Sequence, residues 1–125
     1  MKHKFVEHIP REIENDTLYI SLEFNIAKHK CPCGCGLDVV TKISPARWQL
    51  FYDGETITLS PSIGNWNFEC KSHYFIRENQ VVWAKKFTEK QIETVQNNDK
   101  SAIDKYISTK KKKNILDWFL DLFKN

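Results

Sequence analysis

With 125 residues, 41% of them hydrophobic and 13% aromatic, the chain is long and apolar enough for one packed domain, which argues against a disordered segment. Its net charge of +3 is unevenly placed: residues 1–84 hold 9 Lys+Arg against 10 Asp+Glu, and residues 85–125 hold 10 against 6. A nucleic-acid-binding domain would carry its basic charge on the folded part, and no apolar run reaches the ~20 residues that span a bilayer, so both classes are disfavoured.

Residues 1–16 are charged and irregular, punctuated by Pro10. No apolar h-region follows Met1-Lys2-His3-Lys4, so a cytoplasmic chain without a secretory leader is expected. Leu18, Ile20, Leu22, Phe24 and Ile26 alternate with mostly polar partners, which predicts one half-buried strand over 17–26 with Tyr19 on its outer face. A Gly/Pro-rich turn leads into a short strand over 37–43, and a third strand follows over 48–52. Asp53-Gly54 is a strong hairpin dipeptide that passes the chain to a fourth strand over 55–59. Ser60 to Trp66 reads as a loop of turn formers. Strands over 72–77 and 80–84 flank Glu78-Asn79, a second hairpin signal.

From Thr88 the pattern changes. Thr88-Glu89-Lys90-Gln91 is a capping box and predicts a helix from there to about residue 106, lying on the β core through the sparse apolar positions Ile92, Val95, Ile103 and Tyr106. Residues 108–113 read as a basic linker. Asn114 to Phe123 reads as a short amphipathic helix with Ile115, Leu116, Phe119, Leu122 and Phe123 on one stripe. With Trp118 it is suited to docking on a protein partner or a membrane surface. The expected architecture is mainly β (α+β): an irregular segment 1–16, a compact antiparallel zinc-binding domain with a surface helix 17–107, and a tail 108–125.

The strongest chemical signal is the run His29-Lys30-Cys31-Pro32-Cys33-Gly34-Cys35-Gly36, answered by Cys70-Lys71-Ser72-His73. Thiols at i and i+2 sit badly for the torsion a disulfide requires. Thiolate and imidazole are the ligands zinc selects, at about 2.3 and 2.0–2.1 Å. Six groups are available: His29, Cys31, Cys33, Cys35, Cys70 and His73. The preferred metal set is Cys31, Cys33, Cys35, Cys70 and His73, more groups than one tetrahedral ion uses. A closed site that staples the fold and an open site that activates water both fit this spacing.

The segment Pro61-Ser62-Ile63-Gly64-Asn65-Trp66 precedes Cys70 and is placed to overhang the metal. Ser62, Ser72 and His73 are the catalytic candidates, as nucleophile, oxyanion donor or base, and Asn65 and Trp66 the substrate-binding ones. Turn-forming Ser and Asn equally serve to satisfy backbone groups. Neither Gly-x-Ser-x-Gly nor His-Glu-x-x-His is present.

The string from His29 to Gly36, then Trp48, Asp53-Gly54, Leu59-Ser60-Pro61-Ser62-Ile63-Gly64-Asn65-Trp66 and Cys70-Lys71-Ser72-His73-Tyr74-Phe75-Ile76 resembles a small bacterial zinc-binding family of unassigned function. That family is often encoded beside ubiquitin-like proteins and E1- and E2-like enzymes. The resemblance spans roughly residues 17–106; relatives often carry Trp at the position of Phe75. It implies a zinc-dependent peptidase or deconjugase that processes a ubiquitin-like modifier in an antiphage conjugation system. The competing expectation is a non-catalytic adaptor whose zinc site shapes a surface for the modifier or the conjugation enzymes.

Overall fold

The computed structural model describes the backbone of residues 1–121 and the side chains of residues 1–111. Eight strands and one helix follow in order: β1 (Lys2–Phe5), β2 (Thr17–Ser21), β3 (Ile26–Lys30), β4 (Asp38–Lys42), β5 (Gln49–Tyr52), β6 (Ile57–Gly64), β7 (His73–Arg77), β8 (Gln80–Trp83) and α1 (Glu89–Asp121). Strands β1–β4 form one sheet and β5–β8 a second, each in sequence order. All neighbours are antiparallel except β1, which runs parallel to β2. The protein is mainly β, as expected.

The two sheets share one core, with Leu18, Ile20, Ala27 and Val39 from the first facing Ile57, Leu59, Ile63, Tyr74 and Ile76 from the second. The predicted turns close as their chemistry requires. Asp53 Oδ1 accepts from the amides of Glu55 (2.8 Å) and Thr56 (2.6 Å), with Gly54 at φ 97°. Glu78 and Asn79 both adopt positive φ, the two-residue turn that matches strand twist, and pair Arg77 with Gln80. The capping box at the start of α1 is reciprocal: Thr88 N donates to Gln91 Oε1, and Gln91 N donates to Thr88 Oγ1.

Four expectations change. Part of the N-terminal segment is ordered as β1, tied to β2 through Lys2 N and Asp16 O at 2.8 Å; its polar side chains gave no strand signal. The stretch 17–26 is a hairpin limb, turn and second strand rather than one strand, and all of β2, Tyr19 included, is buried. Ser21 Oγ accepts from Phe24 N, Asn25 takes φ 53°, and Leu22 and Phe24 end on the turn surface, 61% and 53% exposed. Strand β6 continues through the expected 60–66 loop as far as Gly64. Finally, α1 runs unbroken to Asp121 through the expected linker, in a segment with no Gly or Pro to stop it. The side chains of the apolar stripe expected over 114–123 lie outside the described residues.

Candidate catalytic and metal sites

Strand β3 ends at Lys30 and delivers Cys31 to a turn carrying Cys33 and Cys35, while Cys70 sits just before β7. The four sulfurs lie within 4.8 Å of one another, with Cys31 Sγ 3.4 Å from Cys33 Sγ and 3.8 Å from Cys70 Sγ. These gaps are far too long for a disulfide, and all four cysteines are free. Four sulfurs at about 2.3 Å from a tetrahedral centre lie ~3.8 Å apart, so the cluster has the dimensions of a closed four-thiolate site. Gly34 and Gly36 adopt φ 90° and 81°, which lets the backbone wrap tightly here. Without a cation the four thiols compete for protons. Burial pushes the Cys31 thiol up to about 12. At Cys33 the upward effect of burial is outweighed by hydrogen bonds from Cys31 and the Cys35 amide, leaving it low. A divalent ion held by all four as thiolates would resolve that conflict.

His73, expected as a fifth ligand, is outside this group, because both its ring nitrogens are engaged elsewhere. Nδ1 is 3.0 Å from Lys85 O and Nε2 is 2.9 Å from Ser62 Oγ. A carbonyl oxygen can only accept, so Nδ1 carries the proton; in the neutral ring Nε2 is then the acceptor for the Ser62 hydroxyl. This is the tautomer a general base requires.

The backbone explains how Ser62 reaches His73. Leu59 pairs with Ile76 and Ile63 with Tyr74, so four residues of β6 advance against two of β7. The extra residues bulge from the ladder between Leu59 and Ile63, the stretch that carries Ser62. Regular pairing then resumes with Gly64 opposite His73. Trp48 Nε1 donates to Ser62 O at 3.4 Å and holds the bulge from the β5 side.

Ser62 and His73 line a groove of about 620 Å³, bordered by Trp48, Trp66 and Phe87 and, from α1, by Val95 and Ile103. Trp66 stacks on Phe87 at 5.3 Å, and both pack against the His73 ring, at 5.1 and 4.5 Å. His73 is thus 7% exposed, in an apolar surround with a polar tip facing the groove.

The other expected residues divide between the two centres. Trp66 lies at the groove. Ser72 is buried and turned to the cysteine cluster, its Oγ donating to Cys70 Sγ at 3.1 Å. Asn65 is buried as well: its Nδ2 reaches Cys31 Sγ at 3.7 Å and Tyr74 Oη at 3.3 Å, and its amide N donates to Ser72 O. His29, a sixth possible ligand, is a fully buried core residue 2.6 Å from Tyr74 Oη, and burial lowers its pKa to about 4. Lys85, Phe87 and the α1 wall were missed. A backbone carbonyl leaves no trace in residue type, and Phe87 stands in a short stretch without periodicity.

No curated protein and no solved structure matches the chain. Residues 5–84, nearly two thirds of its length, match the family described as bacterial ubiquitination-like system serine protease (BubE). The chain therefore belongs to the BubE family of bacterial ubiquitination-like system serine proteases.

Proposed function

We propose that this protein is a serine peptidase of a bacterial ubiquitination-like system, with Ser62 as nucleophile and His73 as general base. The observation that carries this reading is the 2.9 Å contact between Ser62 Oγ and a His73 whose tautomer is set by Lys85 O. His73 Nε2 takes the hydroxyl proton as Ser62 Oγ attacks the scissile carbonyl. The same proton then passes to the departing amine or alcohol, leaving an acyl ester on Ser62. Water, deprotonated by His73, releases the acid and restores the serine. The aromatic surround of Trp66 and Phe87 excludes bulk water from the imidazole.

The metal, which we assign as zinc, is structural on this reading. Four thiolates complete a tetrahedral ion and leave no position for substrate, and none of the four cysteines lines the groove. What it supplies when bound is rigidity: Cys31, Cys70, Ser72 and Asn65 anchor the chain on both sides of the dyad. The substrate class is the extended tail of a ubiquitin-like modifier, trimmed before conjugation or released from a target in the cytoplasm, with E1- and E2-like enzymes as partners and antiphage defence as the setting.

The test is incubation of the zinc-loaded protein with the ubiquitin-like protein of its own system, followed by intact mass. Cleavage that disappears in Ser62→Ala supports the reading. Cleavage retained by Ser62→Ala, or an intact modifier and intact conjugates alongside a properly folded enzyme, rejects it in favour of an adaptor.

A further inference from the structure

Resting on the peptidase reading above, we propose that Arg47 is a specificity-determining residue that binds a substrate carboxylate beside the scissile bond. Arg47 lines the same groove as Ser62 and His73. Its backbone is fixed by a turn, with Arg47 N donating to Ser44 O and Trp48 N to Lys42 O, both at 3.1 Å. Its guanidinium lies over the Trp48 ring, 5.0 Å from the centroid, and that indole in turn donates to the carbonyl of Ser62. Arg47 is therefore one aromatic ring away from the nucleophile's own peptide unit.

Among the described residues Arg47 enters no ion pair. Its Nε is sealed in the interior without an acceptor, so that the Nη donors carry whatever hydrogen bonding the guanidinium makes. Lys100, on the α1 side, adds a second cation to the groove, and Asp99 beside it is the one acidic residue there. A planar, permanently charged fork held over an indole matches a carboxylate, with two parallel N–H···O bonds available. Two sources present that chemistry to a groove: the side chain of an acidic residue near the cut, and the free main-chain terminus of a short tail.

The experiment uses the full, zinc-loaded chain and a library of unstructured 14-residue peptides, each made with a free-acid and an amide-capped C-terminus, with cuts mapped by mass spectrometry. The expected result is enrichment of Asp or Glu within two positions of the cut, or cuts confined to free-acid peptides, which identifies the source. Arg47→Ala should remove that preference and raise KM about tenfold with a smaller change in kcat, the scale of one charge-assisted contact. Arg47→Glu should turn the preference toward Lys and Arg, a reversal that loss of packing does not produce. A fluorophosphonate probe that labels Ser62 while cuts ignore both acidic residues and the C-terminal carboxylate overturns the Arg47 assignment alone, as does a carboxylate preference that survives both substitutions. Absence of both cutting and Ser62 labelling overturns the assignment together with the peptidase reading.

Discussion

Inside the core, Tyr74 Oη lies 2.6 Å from His29 Nε2 and joins the cysteine cluster to the strand bearing His73. The hydroxyl also accepts from Asn65 Nδ2 at 3.3 Å, giving a buried polar path from Cys31 through Asn65 and Tyr74 to His29 in the middle of the core. Tyr74→Phe leaves two buried polar groups short of a partner. It should lower stability by about 1–3 kcal/mol in chemical denaturation. Adding His29→Leu should recover part of that loss, since both sides of the contact are then apolar; a purely additive double variant contradicts the coupling.

Replacing either member of the dyad should stop catalysis without harming the fold. Ser62→Ala and His73→Gln are each expected to reduce kcat/KM by roughly a thousandfold or more, and together by little beyond the worse single loss, because the two act as one unit. Cleavage kinetics beside circular dichroism and bound-metal content measure this. Losses that multiply in the double variant would falsify a shared role.

Metal removal should act on structure before chemistry. Bound metal measured by mass spectrometry should approach one ion per chain, and cobalt in its place should give thiolate charge-transfer bands. A strong chelator should collapse tertiary near-ultraviolet signals along with activity. Buried Cys31→Ser should be the most damaging single change and exposed Cys35→Ser milder. A chelated protein that keeps its native fold and loses only activity would point to a catalytic ion instead.

Gly64 tests the groove wall. A methyl group added there would collide with the Trp66 indole, at Cε2 and Cζ2. Gly64→Ala should cost about 1–3 kcal/mol and push Trp66 away from the His73 ring. Reduced kcat with a red-shifted tryptophan emission is the expected pair of signals; native emission and activity would place the indole elsewhere.

The β5–β6 turn gives a pH prediction. Hydrogen bonds from Thr56 Oγ1, then from the Thr56 and Glu55 amides, pull the Asp53 carboxyl from 3.8 to about 2. A carboxyl depressed in the folded state stabilises fully above its unfolded pKa, and that contribution fades as pH falls from about 4 toward about 2. Carbon-13 NMR of the side-chain carboxyl should show its midpoint near the lower value, and Asp53→Asn should flatten this part of the acid limb. A midpoint at the ordinary aspartate value means the turn does not hold the carboxylate.

Local chemistry was the legible part of this fold. Asp53-Gly54, Glu78-Asn79 and Thr88-x-x-Gln91 act within a few residues, so their turns and cap could be placed from the sequence. The cysteines could also be grouped, because thiols spaced as Cys31, Cys33 and Cys35 fit a shared ion far better than a disulfide. What failed depended on distant partners. Strand β1 exists because β2 offers it an edge, and the alternation over 17–26 was cut by Ser21 and Asn25. His73 stood three residues from Cys70, the spacing of a ligand pair. The bulge in β6, set by pairing with β7, is what brought Ser62 to it instead.

The carbonyl that orients His73 belongs to Lys85, one residue past the segment by which the family is matched. Phe87, which covers the imidazole, and the α1 face of the groove lie farther out still. A fragment trimmed to residues 5–84 would keep every cysteine together with Ser62 and His73, yet lose the group that tells the imidazole which nitrogen to protonate. Boundaries drawn where sequence likeness fades would thus yield a protein able to bind metal while its histidine is free to flip.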